Sequence, residues 1–413
     1  MAMSGSQQAL ALLVVIIGAL IVAAIILRAL LERTYVPALI GFMALGFLLR
    51  LADDRWHFLN AEGHFTFDVL QELGVIALLF RIGLESNLTE LLRQLPMASV
   101  IWVGNVALSA VPGYLVAYHL LGFGLIPSLV VATALTATSI GVSVGMWRHH
   151  GALGTRKGQL LTDVAEMDDL SGVAFMALLF AVLPILRQAG GSDGELVPQL
   201  MATGGVFLVK LVLFAGACIA FARYAEERLT TTFRRFGSRP QLIALVAGIG
   251  ILIAGVSSAL GFSAALGALF AGLAFSRDPD AVKIDGGFQG LYHLLAPFFF
   301  IGIGLSLPAD ALASSLGPGL ALLTVAVLGK VFGAGLPALL ATRAAGATLI
   351  GVSMVPRAEI AMIVVERARQ FGDWAVPPEL YAAFVLISAA TCILAPVTLE
   401  FLFRRWPEAL KED

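Results

Sequence analysis

The chain has 413 residues, 59% of them hydrophobic and only 13% charged, about half the charged share of a soluble domain. That composition excludes a soluble enzyme, and a formal net charge of -2 without a Lys/Arg-rich stripe excludes nucleic acid as a partner. What remains is an all-α polytopic membrane protein whose surroundings are the lipid bilayer.

The first apolar run, near 9–28, has no basic n-region before it and is too long for a signal-peptide h-region. It reads as the first transmembrane helix. Twelve more runs follow near 36–50, 68–85, 97–120, 125–146, 159–186, 200–222, 240–260, 262–275, 289–306, 317–341, 345–366 and 378–403. Thirteen spans result, and their helix-length spacing argues for a bundle over a barrel of alternating strands. The short ninth run predicts a broken or tilted element, and the stretch 223–239 reads as a long basic loop. Cys218 and Cys392 lie inside apolar runs, which predicts neither a disulfide framework nor a thiolate metal site.

Orientation follows from the basic residues. Of 26 Lys and Arg, seventeen fall in loops after odd-numbered spans or in the C-terminal tail, five fall on the other side, and four lie within spans. The positive-inside rule then puts the N-terminus outside and the C-terminus in the cytoplasm. The tail ends about ten residues past the last span, so a single domain over 1–413 with no C-terminal nucleotide-binding domain is expected.

Charges inside the spans carry the functional signal, because each costs about 2.5–3.5 kcal/mol on insertion scales and needs a partner or a water-filled cavity. The basic ones are Arg81, Lys210, Lys330 and Arg357. Facing them are Glu85, Asp163, Glu166, Asp168, Asp169 and Glu359. Asp168 and Asp169 are adjacent on span six and point about 100° apart, so one can meet a neighbouring helix while the other meets a cavity. Span five concentrates Thr133, Thr136, Thr138, Ser139, Gly141, Ser143 and Gly145, hydroxyls and weakened backbone that can replace a cation's water shell or provide a small-residue packing face. Span twelve carries Pro356 in mid-run, which favours a break beside Arg357 and Glu359. Spans five and twelve run in opposite directions, and two interrupted helices in corresponding places point to a secondary transporter. Lys330 has Gly329, Gly333 and Gly335 around it, allowing close helix approach toward a facing carboxylate. Lys210 reads as structural. His149 and His150 read as solvated loop residues, with cytoplasmic pH sensing as the alternative.

The segments LLFRIGLESNL (78–88), TALTATSIGV (133–142), MDDLSG (167–172), SAALGALFAGLAFS (263–276), FFFIGIGLSL (298–307), LGKVFG (328–333) and VPRAEIAMIV (355–364), in this order and topology, resemble the monovalent cation:proton antiporter-2 family. That family includes NapA-type sodium/proton and Kef-type potassium antiporters, and the likeness covers nearly the whole chain.

The resemblance implies an inverted repeat with two crossing broken helices and Thr138-Ser139 at the crossing. It implies a mobile core of helices about 68–186 and 289–403, and dimerisation helices about 9–50 and 200–275 in a homodimer of the bacterial inner membrane. It further implies that Asp169 carries cation (Na+ first, with Li+ or K+ possible) and proton alternately without a cofactor. Asp168 would pair with Lys330, and the Asp-Asp pair would make exchange electrogenic; a Kef-type K+/H+ antiporter or K+ efflux protein is the alternative. Asp163 and Glu166 depart from the family's usually small or apolar residues and are expected in the cytoplasmic funnel. Arg81 is a further departure, with Glu85 one turn away its nearest candidate partner. An intramembrane aspartyl protease is disfavoured, since its two aspartates must converge from two helices.

Overall fold

The computed structural model describes residues 5–32, 34, 36–86, 95–188, 196–276 and 281–410. Among these, all regular structure is helical, and each of the thirteen apolar runs falls on a helix or a pair of half-helices. The first eight are α1 (Gly5–Leu31), α2 (Ala38–Trp56), α3 (Ala61–Glu85), α4 (Leu95–Leu115), α5 (Leu125–Thr136), α6 (Ile140–His149), α7 (Arg156–Gln188) and α8 (Leu196–Ala220). There follow α9 (Glu226–Phe236), α10 (Arg239–Ala259), α11 (Ala264–Phe275), α12 (Ala281–Leu305), α13 (Ala311–Ala338), α14 (Ala344–Ser353), α15 (Glu359–Arg369) and α16 (Pro378–Arg405). Arg33, Arg93, Arg277 and Lys411, used in the orientation argument, and residues 87–88 of the first motif lie outside the described residues.

Two predicted interruptions are present. Span five is α5 and α6 separated by residues 137–139, and span twelve is α14 and α15 separated by residues 354–358. Pro356 accounts for the second break, because it has no N–H to give the helix ladder. The first contains neither Pro nor Gly; its residues leave helical geometry at Ala137 (ψ 147°) and Ser139 (ψ 81°), held there by tertiary contacts described below. α15 packs on α5, and α14 on α6. The second half of each broken span therefore lies beside the first half of the other, as antiparallel crossing chains must.

Extensive helix pairing among the described residues sorts into two groups. α3 packs on α11 and α12, α12 also on α2, α2 on α1, and α11 on α10. Separately, α13 packs on α4, α14 and α16, while α5 packs on α4, α7 and α15. α8 touches both groups, through α7 and through α11. α11 is short, about 18 Å at 1.5 Å per residue against a hydrocarbon core of about 30 Å, and eleven of its twelve residues are buried. It fits because glycines meet: a Cβ on Gly272 would lie 2.2 Å from the Phe80 carbonyl oxygen and 2.8 Å from the Gly83 Cα of α3. Small residues at such contacts bring membrane helices together when lipid gives no hydrophobic drive. The outer faces are correspondingly apolar, with Val14, Val15 and Ile25 of α1 and Val209, Val212 and Leu213 of α8 exposed.

The stretch 223–239 differs from its sequence reading as a loop: a π-helical turn, Phe221–Ala225, leads directly into α9. Leu229 and Phe233, four residues apart, give α9 an apolar side within an otherwise charged segment, and Phe233 packs against the main core. The charged composition concealed that one-sided pattern.

Candidate functional site

The site lies where the two breaks meet. The backbone N–H of Ser139 donates to the Pro356 carbonyl at 2.9 Å, and the Thr138 hydroxyl is 3.3 Å from the Met354 carbonyl. Lys330 Nζ donates to the Thr136 carbonyl at 2.5 Å, and the Arg357 guanidinium donates to the Ala137 carbonyl. These contacts correct one expectation. The carbonyls of Thr136 and Ala137 freed by the break do not stand open to replace a cation's water shell; the protein's own cations occupy them. A freed backbone acceptor in a dry interior must find a donor, and Lys330 and Arg357 are the donors within reach.

Asp168 is fully buried and anchors the cluster. Its Oδ1 accepts from Asn105 Nδ2 at 2.8 Å, and its Oδ2 accepts from the Thr138 hydroxyl at 2.5 Å and from Lys330 Nζ at 2.9 Å. The Asp168–Lys330 pairing is thus present in the geometry. α13 reaches α7 this way because it packs closely on α4: a Cβ on Gly329 would lie 2.5 Å from the Leu108 carbonyl oxygen, and one on Gly333 would lie 2.8 Å from that of Gly104. Gly329→Ala is expected to push α13 away from α4 and lower stability by about 1–3 kcal/mol. Thermal unfolding in detergent measures this; an unchanged midpoint would remove the close-approach argument.

Asp169, the next residue, is placed differently. It is part-exposed, and among the described residues it has no hydrogen bond or ion pair. The charges acting on it are those of Asp168, Glu359, Lys330 and Glu166. The Ser139 hydroxyl is buried without a partner among the described residues. Asp163 and Glu166 are half-buried on the same helix. Arg357 is 1% exposed, and its Nε and Nη2 have no hydrogen-bond partner among the described residues.

A cavity of about 610 Å³ opens between the two helix groups. On one side it is lined by Gly141, Gly145 and His149 of α6 with Glu359 of α15; opposite are Arg28 of α1, Glu32 just past its end and Tyr292 of α12. Gly141, Gly145 and His149 recur every four residues, so they form one face, and a Cβ at either glycine would meet nothing within 4 Å. Sequence reasoning treated His149 and His150 alike. The structure separates them: His149 is exposed at the cavity, whereas His150 lies 3.4 Å from Glu400 and stacks against Phe403. Arg81 bonds Glu85 at 2.8 Å, as its spacing suggested, and sits 4.5 Å over the Tyr292 ring. Lys210 is exposed, with its ammonium 3.4 Å from the Leu260 carbonyl, apart from the site.

Asn105 was missed from the sequence although a signal existed. It is an amide inside the apolar run 97–120, and a polar group at membrane depth needs a partner by the same rule that singled out the charges. A second missed cluster lies at the far end of α15, where Arg367 pairs with Glu72, Arg369 bonds Glu366 at 3.1 Å, and the Tyr381 hydroxyl donates to Glu366 at 2.7 Å.

A family model described as sodium/hydrogen exchanger, transmembrane, matches residues 17–405. The high-affinity Na+/H+ antiporter NhaS3 of Synechocystis is 28% identical over 342 residues, covering 81% of this chain and 71% of its own. The Na+/H+-K+ antiporter GerN of Bacillus cereus is 26% identical over 377 residues, covering 91% and 92%. Among solved structures, the sodium proton antiporter MjNhaP1 of Methanocaldococcus jannaschii superposes with a TM-score of 0.70 over 97% of this chain and 98% of its own, at 15% identity, a likeness of fold.

Proposed function

The chain belongs to the sodium/hydrogen exchanger family, and from that premise we propose that it exchanges Na+ for H+ electrogenically by alternating access, with Asp169 as the shared carrier. At the coarser level it is a multi-pass membrane antiporter of monovalent cations and protons, a transporter and not an enzyme. The observation that carries the finer reading is the contrast between two adjacent carboxylates. Asp168 is saturated by three donors, while Asp169 has none among the described residues.

Asp169, with Glu166 and Glu359 close enough to act on it, offers negative charge and oxygen ligands that suit a small hard cation, and the unpartnered Ser139 hydroxyl at the crossing is a further oxygen in this reading. In this reading a cation and protons compete for the Asp169 carboxylate. Lys330, held between Asp168 and the Thr136 carbonyl, takes part in that competition through Asp168. Asp163, half-buried on α7, is read as part of the cytoplasmic funnel, although it is not among the residues that line the cavity. Arg357 keeps the crossing closed to through-flow by filling the Ala137 carbonyl. No cofactor enters this scheme.

The N-terminus is placed outside and the C-terminus in the cytoplasm of a bacterial inner membrane, so the large cavity opens to the cytoplasm. The moving body in this reading comprises α4–α7 and α13–α16. Because α3 and α12 pair extensively with α2 and α11, this reading puts them in the other body with α1, α2, α10 and α11, whereas the resemblance implied a core that includes them. Homodimerisation through the second body is part of the proposal. K+ is the alternative cargo, favoured by the likeness to GerN.

Purified protein in liposomes, tested for ΔpH-driven uptake of Na+, K+ and Li+ with and without a clamped potential, decides the reading. Na+ uptake that outpaces K+ and responds to the potential is expected. Uptake of K+ alone, or insensitivity to the potential, would overturn the corresponding part.

A further inference from the structure

The two ends of the boundary between the helix groups are unlike. On the side of α6 and the α1–α2 turn it holds the cavity of about 610 Å³. At the opposite end, among the described residues, lies a crevice of about 20 Å³, room for about one water, lined by Gln71, Glu72 and Val75 of α3, Phe299 of α12, and Ile363 and Arg367 of α15. Side chains bridge the groups there. The Arg367 guanidinium pairs with Glu72 across the boundary, and the Tyr381 hydroxyl of α16 lies 3.2 Å from the Ile303 carbonyl of α12.

Arg367 and Tyr381 are themselves held in place. Glu366 accepts from Tyr381 and from Arg369, and the Arg369 guanidinium lies 4.8 Å over the Tyr381 ring. Arg367 also reaches Gln370 at 3.3 Å. The charges on the α15 end are therefore braced on their own body, with one arm extended to the other.

We propose that the Arg367–Glu72 pair is a latch that holds the outer entrance shut while the inner cavity is open. Three observations carry it. The pair joins two bodies between which no extensive direct helix pairing runs among the described residues, although one buried apolar core reaches into both; it sits at the end where the crevice is small; and α15, which bears Arg367, is the half-helix whose other end carries Glu359 into the cavity. A sliding of α15 against α3 that opened the outer crevice would have to separate this pair, whereas closure of the inner cavity makes no demand on it. The latch thus biases the resting population toward the inward-open form. This rests on the alternating-access reading above.

The test uses the full-length chain in proteoliposomes, with Cys218→Ala and Cys392→Ser to remove both native thiols, and Val75→Cys as a reporter at the foot of the crevice. A membrane-impermeant maleimide is added from the outer side, and Na+/H+ exchange is measured on the same preparation. Glu72→Gln and Arg367→Gln are each expected to speed labelling roughly two- to fivefold, the scale of a part-exposed ion pair. The exchanged pair, Glu72→Arg with Arg367→Glu, is expected to return labelling toward the parent rate, a rescue that general loosening would not give. Labelling unchanged by both single substitutions, or accelerated equally by the exchanged pair, overturns the latch. Exchange measured in the parent keeps this separate from the transport reading, which fails only if the parent moves no cation against protons.

Discussion

Asp169→Asn is expected to abolish cation-dependent dissipation of ΔpH in everted vesicles while leaving the fold intact. The carboxylate makes no hydrogen bond or ion pair among the described residues, so replacing it with an isosteric amide removes no structural contact, and stability should change by no more than about 0.5 kcal/mol. Binding is another matter. Truncating one partner of a charge contact shielded from water costs about 2–5 kcal/mol, at least roughly thirtyfold in cation affinity, and an amide cannot carry the proton on the return stroke. Thermal unfolding and exchange should therefore dissociate completely in this variant. Exchange at the parental rate would show that Asp169 is not the carrier.

Asp168→Asn should give the reverse balance, with a large loss of stability. It strips the charge from a fully buried carboxylate that receives Asn105, Thr138 and Lys330, and it leaves the Lys330 ammonium without its counter-ion. Breaking a buried pair from one side costs about 3–5 kcal/mol, because the uncompensated charge stays behind. Lys330→Gln should cost less: the amide can still donate toward Asp168 or the Thr136 carbonyl, and the charge that remains, on Asp168, keeps two other donors. The ordering, with Asp168→Asn the more destabilising in thermal unfolding, is the checkable point. Equal losses would remove that ordering, and a larger loss for Lys330→Gln would mean that the lysine, not the carboxylate, organises the crossing. If Lys330→Gln keeps its voltage response in proteoliposomes, the lysine is structural and the electrogenic reading loses its main support.

Much of this was legible in the residues. Thirteen apolar runs located the helices because a membrane leaves the backbone few ways to satisfy its own polar groups. Pro356 marked one break by its chemistry. Intramembrane charge singled out Asp168, Asp169 and Lys330, and the i,i+4 spacing suggested Arg81 with Glu85. The break at 137–139 was harder, since Thr and Ser also populate intact helices; what keeps it open is Lys330 and Arg357, supplied from 194 and 220 residues away. Asn105 carried a readable signal as well, an amide at membrane depth that needs a partner as the charges do. The network of Glu72, Glu366, Arg367 and Tyr381 at the far end of α15 had none, because charges at helix ends look the same from sequence whether they are solvated or bridge two helix groups.

The sequence by itself determined the helical bundle, the interruption at Pro356 and the identity of the charged groups at membrane depth, since hydropathy, proline chemistry and the cost of an intramembrane charge are local properties of each segment. Only the tertiary structure decided which of two adjacent aspartates is clamped and which stands free, which cations fill the opened carbonyls, and which end of the boundary is closed. Those outcomes depend on donors brought from distant helices at hydrogen-bond distance, and a linear spacing does not encode them.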